Sequence, residues 1–259
     1  MEPCFPLELE REIFETASLL HPKSIPCFLL VTHRVRTWLE PMLYRVVSLT
    51  SDKDPILPSF RMKPPGFLRD AVRHVLLDKD VTTAAAQAVL EVATETQSLA
   101  LLCFNTDFDL ESLADPSKLP KLQRLATHKL PRPIYQSLTH LDLFGASFDF
   151  IGSVWPQIAR CPALTHLAIY SDCEIAAAEH VLSNCERIKV LIYMSEERAK
   201  THVYEEILLG HDGFITMTFD DEEYQRDWEI GARGGVDFWT RADQFIAKKK
   251  RGEIVPSLF

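Results

Sequence analysis

The sequence predicts an α/β protein: a helical head, then stacked strand–helix units sharing a mostly parallel sheet, then a pair of closing helices. Three observations carry this expectation. Apolar residues in the first 49 positions recur at helical spacing, a short apolar pattern repeats through residues 71–220, and the last forty residues carry two amphipathic, capped stretches.

In the head, Pro6 suits a first helical turn, where its missing N–H is not needed. Leu9, Ile13, Phe14 and Ala17 then form one apolar stripe, and Leu30, Val31, Val35, Trp38 and Leu39 continue the helical period until Pro41 ends or kinks it. Residues 50–70 read as a linker, with four prolines between positions 50 and 67. Beyond it, the pattern apolar, two residues, apolar, one residue, apolar fits Val72/Val75/Leu77, Leu99/Leu102/Phe104, Leu138/Leu141/Leu143, Leu164/Leu167/Ile169, Ile188/Leu191/Tyr193 and Phe214/Met217/Phe219, with a weaker copy at Leu122/Leu125/Thr127.

Five of the six steps between copies are 23–27 residues, the spacing of leucine-rich repeats, and the remaining step is 16, where "KLPRPIY" predicts an irregular loop. The alanine-rich inserts "TTAAAQAVLEVATETQ" and "EIAAAEHVLSNC" predict crossover helices, which make successive strands parallel. Residues 221–259 then supply two capping helices, the second with Asp237 as its cap and Phe238, Trp239, Ala242, Phe245 and Ile246 on a broad apolar face.

Composition narrows the function. Of 259 residues, 46% are apolar and 25% charged, ordinary for a globular chain, and the net charge of −9 argues against a general nucleic-acid binder. The longest apolar runs fall far short of a membrane span, and no secretory leader is expected, so the six cysteines read as reduced thiols of a cytoplasmic or nuclear protein. Cys161, Cys173 and Cys185 lie 12 residues apart, but zinc ligands come in closely spaced pairs. Cys161 and Cys185 instead precede Leu164 and Ile188 by three residues, where a small apolar side chain fits the turn back to the sheet. No phosphate loop, nucleophile elbow, H-E-x-x-H pair or calcium loop occurs, so no catalytic, cofactor or metal residue is assigned and no enzyme is expected. "KKKR" at 248–251 reads as a dipole-complementing helix end in preference to a nuclear address.

Strand alternation picks out a second sheet face. "LTHL" recurs at residues 138 and 164, placing His140 beside His166 and Phe144 beside Tyr170, with Asp142 between. His140, Asp142, Phe144, His166 and Tyr170 thus form a possible partner-binding face; alternatively, C-terminal residues cover it. The apolar trio Val190, Ile192 and Met194 is expected to lie under the C-terminal helices.

The head also bears a resemblance. "FPLELEREIF" and "LLVTHRVRTWLEPMLYRVVSL" resemble the F-box, as found at the start of F-box-like fungal proteins, with Phe5 where leucine is usual and Val35 in the usual tryptophan place. The resemblance covers about a fifth of the chain, and a repeat array after an F-box is a frequent pairing. The fold expected is therefore an N-terminal helical F-box-like segment (1–49), a proline-rich linker (50–70), a short irregular leucine-rich-repeat-like solenoid (71–220) and C-terminal capping helices (221–259). The resemblance implies a substrate-recruiting adaptor that binds the Skp-type linker of a cullin ubiquitin ligase through Phe5, Pro6, Leu7, Leu9, Ile13, Phe14, Leu30 and Val31, and that holds an unknown protein substrate. A head of this size buries little by itself, which suits an apolar face donated to a partner. No membrane or nucleic-acid partner is expected.

Overall fold

Eight short apolar runs become the strands of one sheet because both of their faces are covered, one by crossover helices and the other by the C-terminal pair. The computed structural model describes residues 5–102, 117–128, 136–144, 155–158, 160–170, 175–195, 211–218 and 221–254. The head comprises α1 (Leu7–Leu20), a 3₁₀ turn (Pro22–Ser24), α2 (Ile25–Phe28) and α3 (His33–Leu43). The body follows as β1 (Val46–Ser51), α4 (Ile56–Met62), α5 (Pro65–Ala71), β2 (His74–Asp80), α6 (Thr83–Leu90), β3 (Ser98–Leu101), β4 (Arg124–Thr127) and β5 (His140–Leu143). It continues through α7 (Trp155–Ile158), β6 (His166–Tyr170), α8 (Ile175–Asn184), β7 (Val190–Ser195) and β8 (Phe214–Thr218), and α9 (Asp221–Ala232) and α10 (Phe238–Lys250) complete it.

The strands lie in chain order, β1 to β8, and every neighbouring pair is parallel. One in-register row runs from Val47 through Val75, Leu99, Leu125, Leu141, Leu167 and Leu191 to Phe214. Each of these residues is 2% exposed or less, and the crossover helices pack on them through Leu57, Leu68, Val89, Ala178 and Val181. Truncating one central member, Leu141→Ala, is expected to cost about 2–5 kcal/mol in urea unfolding, because a site walled by strands on both sides cannot collapse.

Register corrects the pattern in two copies. Leu99 pairs with Val75, so the third strand's inward residues are Leu99 and Leu101 in place of the expected Leu99, Leu102 and Phe104. Phe214 pairs with Leu191, which sends Met217 to the opposite face beside Met194. The sheet also starts earlier than expected. "VVSLTS" is strand β1, although the period had read it as the tail of a helical segment: its alternation is too short to separate from a helix end. Two short helices, α4 and α5, occupy the proline-rich stretch, with Pro65 at the first position of α5. Pro41 lies inside α3, which ends two residues later at Leu43. The expected irregular loop around residues 129–135 and the pattern residues Phe104 and Phe219 lie outside the described residues.

The turns into the strands reuse one slot. Leu122, Leu164 and Ile188 donate their N–H to the carbonyls of Leu119, Cys161 and Cys185, and Thr96 does so to Ala93. Cys161 is buried there, and burial pushes its thiol up to about 11, so it behaves as a small hydrophobe. Between the two last helices, Gly234 adopts a φ of 83°, and the N–H groups of Gly234 and Gly235 return to the carbonyls of Gly231 and Ile230, closing α9. Among the described residues, no helix is long and apolar enough to cross a membrane.

Candidate functional site

The head has two unlike sides. Along α1, the positions turned toward α3 are Glu10, Phe14, Ala17 and Ser18, one helical face spaced four, three and one apart. Ser18 is the buried member, Phe14 meets Phe28 edge-on at 5.8 Å, and Arg34 Nη2 stands 2.8 Å from Glu10 Oε2. Behind them, Ile25, Val35 and Leu39 form a small core with Trp38 at its margin. Val35, in the place where the F-box pattern has tryptophan, is fully buried.

The opposite side of α1 also carries apolar residues. There Leu9 and Ile13 are 48% and 54% exposed; elsewhere on the head Phe5, Leu7, Leu30 and Val31 are 49–86% exposed, and Pro6 is exposed too. Leu30 and Val31 occupy the turn between α2 and α3, not the helix that the sequence period suggested. Seven of the eight residues expected to contact a linker protein therefore lie at the surface. Phe14 departs from the set, because it turns inward. Isolated exposed leucines are unremarkable, but this many on one small unit make the head the candidate for a contact surface. The other side of the head is docked: Lys63 Nζ is 2.8 Å from Glu40 Oε1, and Phe67 of α5 meets Tyr44 at 5.4 Å.

The second candidate is the sheet face opposite the crossover helices, and of the two alternatives the sequence leaves open the structure has the covered one. Asp142, Phe144 and His166 are buried, while His140 and Tyr170 are half-buried, because α9 and α10 lie across them as a lid. The face is a second core, not an open binding surface. Tyr224, Trp228, Phe238, Trp239, Ala242 and Ile246 supply the lid's side, and Val190, Ile192 and Met194 lie beneath it as expected. The two histidines do stack, with ring centres 4.1 Å apart and planes 13° apart, and Trp239 meets both edge-on at 5.1 and 5.6 Å. Phe144 and Tyr170 adjoin at 5.8 Å.

Polar bonds fasten the lid. The Tyr224 hydroxyl donates to Asp142 Oδ2 at 2.7 Å, and Arg124 Nη1 donates to Asp237 Oδ2 at 2.8 Å. His166 Nε2 lies 3.2 Å from Asp243 Oδ1, and Asp227 accepts from Phe238 N and from Arg241. Gly231 permits this closeness, since a Cβ there would strike the Asp237 carboxylate. Burial pushes the Asp142 carboxyl up to about 8, with the Asp237 and Asp227 carboxylates adding to the rise. Burial likewise holds His140 down to about 2, helped by His166 and Arg124, and also lowers His166. Between lid and sheet remains a cavity of about 200 Å³ whose lining includes His74, Ser98, Arg124, His140 and Asp142. His74, Arg124, Tyr224 and Trp228 were not singled out as a group by sequence reasoning. The only hint was the breadth of the apolar face at 238–246, which shows that the last helix covers something without showing how far.

Fold and surface define an α/β protein with a lidded parallel sheet and a helical head that exposes several apolar side chains. No family model, curated protein or solved structure matches the chain. Among the described residues, no group of three or more His, Cys, Asp or Glu side chains is placed to hold a metal ion.

Proposed function

We propose that this chain is a non-enzymatic, substrate-recruiting adaptor of a Skp–cullin–F-box type ubiquitin ligase, working in the cytoplasm or nucleus. Its F-box-like head docks the Skp-type linker, and its leucine-rich-repeat-like body holds an unknown protein. The observation that carries the reading is the outer face of α1, where Leu9 and Ile13 stand about half exposed among charged residues while Glu10 and Ser18 turn inward beside Phe14 and Ala17. Such an arrangement loses hydrophobic stabilisation in the free chain and regains it only against a partner. Glu8 and Glu12 stand exposed at the rim of that surface. Parallel strands in chain order, with helices between β1 and β2, β2 and β3, β5 and β6, and β6 and β7, support the repeat-like body. With the lidded face occupied, the recruited protein is held elsewhere on the body.

The test is co-expression of the full chain with a Skp-type linker, followed by size-exclusion chromatography. A stoichiometric complex is expected, and a wild-type chain that elutes alone overturns the reading. A self-contained interaction scaffold with no ubiquitin link is favoured by one observation, the docking of α3 on α5 through Glu40–Lys63 and Tyr44–Phe67. On that reading no linker complex forms, and the chain resists proteolysis near Pro64–Pro65.

A further inference from the structure

The lidded face carries a polar row that neither the core nor the head explains. His74, Ser98, Arg124, His140 and His166 pair in register, each with the next, across five adjacent strands. The neighbouring row holds Ala100, Ala126, Asp142 and Ala168, of which Ala126 and Asp142 line the cavity, and Gly231 and Ala232 of α9 line it as well. Small side chains on both sides leave the cavity of about 200 Å³ open. Dry packing voids are lined by apolar groups alone, whereas this one sets histidine, serine, arginine and aspartate beside Trp228, Phe238 and Trp239.

The sign of the charge also reverses here. In a chain of net charge −9, Arg45, Arg73 and Arg233 join Arg124 near enough to His74 to act on it, and with burial as the largest cause they hold its imidazole down to about 3. Arg124 makes a single hydrogen bond among the described residues, from Nη1 to Asp237, and the other donors of its guanidinium fork are uncommitted. Asp237, a carboxylate in the same lining, has both oxygens engaged: Oδ2 by Arg124 and Oδ1 by the first turn of α10. Burial raises the Asp142 carboxyl to about 8, which lessens its negative charge at neutral pH. The Nδ1 atom of His74 is buried without a hydrogen-bond partner. The N-terminus of the 13-residue α10, whose Phe238 and Trp239 join the lining, has its Phe238 and Thr240 N–H groups already taken by Asp227 and Asp237.

We propose that this cavity binds a small phosphate-type anion, gripped by the uncommitted side of the Arg124 guanidinium with Ser98 and His140 as hydrogen-bonding partners, and that the anion ties the lid to the sheet. Arginine suits the task because its planar fork matches two phosphate oxygens at once. Pockets for drug-sized ligands run to about 300–1,000 Å³, so this smaller space fits an anion of the size of phosphate or pyrophosphate. The site is separate from the head, and its success or failure is independent of linker binding.

The experiment is isothermal titration and thermal unfolding of the full chain with inorganic phosphate and with pyrophosphate, at ionic strength held constant with sodium chloride. Saturable one-site binding that raises Tm is expected. Arg124→Gln should weaken it by about tenfold or more, the usual loss for a charge-assisted bond. That change also breaks the Asp237 pair, so a second variant keeps the test sharp. Arg45→Gln with Arg233→Gln, both at exposed positions, should weaken binding by about threefold and leave the anion-free Tm unchanged. Absence of saturable binding of either anion by the wild-type chain, or unaltered affinity in both variants, overturns the proposal.

Discussion

On the proposed reading, replacing Leu9 and Ile13 together by aspartate is expected to abolish a complex with a Skp-type linker and to leave the chain folded. Both side chains are about half exposed in the free protein and face away from the head's core of Ile25, Val35 and Leu39, so their loss takes no packing from the monomer. Surface changes of this kind stay within about 0.5 kcal/mol of wild-type stability. In the complex each side chain contributes about 1.5–3 kcal/mol by burial, and a buried unpaired carboxylate in its place costs more. Together these losses weaken the affinity by at least about a hundredfold. The contrasting change is Phe14→Asp, one residue on: its ring meets Phe28 in the interior, so it unfolds the head instead. Calorimetric titration of linker into each variant, beside thermal melts, reads both effects. A double variant that binds within about threefold of wild type removes the head from the interaction.

The second large effect is a stability maximum near pH 6.5, with the alkaline side set by one residue. Asp142 has a folded pKa raised to about 8 from an ordinary 3.8, so between those values the folded chain holds a proton that the unfolded chain has lost. Its contribution is present at low pH and falls by about 1.4 kcal/mol per pH unit as pH rises through that window. His74 and His140 act oppositely. Their folded values are lowered to about 3 and about 2, so their contribution grows as pH rises to about 6.5, where the unfolded histidines have lost their protons. His166 is lowered too, by burial, against the pull of the exposed Asp243. Below pH 6.5 the histidines outweigh Asp142, and stability rises with pH. Between 6.5 and 8 Asp142 acts without them, and about 2 kcal/mol is lost. Urea unfolding at half-unit pH steps measures the curve. Asp142→Asn, which keeps an acceptor for the Tyr224 hydroxyl, should flatten the alkaline limb and steepen the acid one above about pH 4, where Asp142 no longer opposes the histidines. An alkaline limb unchanged in that variant means that Asp142 is ionised in the fold.

The legible parts of this fold are those in which one residue type does one job. Leu141, Leu167 and Leu191 stand at a fixed spacing because each fills the same slot between sheet and helices, and that spacing predicted parallel strands. Where the slot was filled differently the pattern slipped. The third strand offers Leu99, Leu101 and Leu102 within four residues, and only pairing with Val75 and Leu77 decides which of them face in. Strand β1 was illegible because Val46, Val47 and Leu49 directly follow a helix of similar apolarity. The head's contact surface was readable through its resemblance to a known motif, although Phe14 shows that such a motif mixes residues that face a partner with residues that face the core. The lidded cluster was hardly readable at all. Tyr224 reaches Asp142 across 82 residues and Arg124 reaches Asp237 across 113, and no local pattern encodes contacts of that range.

The position of the lid in the chain has a consequence for biosynthesis. Each strand can settle on its predecessor as soon as it leaves the ribosome, but the face bearing Phe144, Ile192, Met194 and Ile215 stays bare until Asp221–Lys250 has emerged. At about 5–20 residues per second that interval lasts a few seconds. During it the nascent protein presents a sticky apolar sheet to its surroundings, so any nonsense mutation falling after β8 and before α9 should yield a product that clings to chaperones instead of a shortened but soluble one.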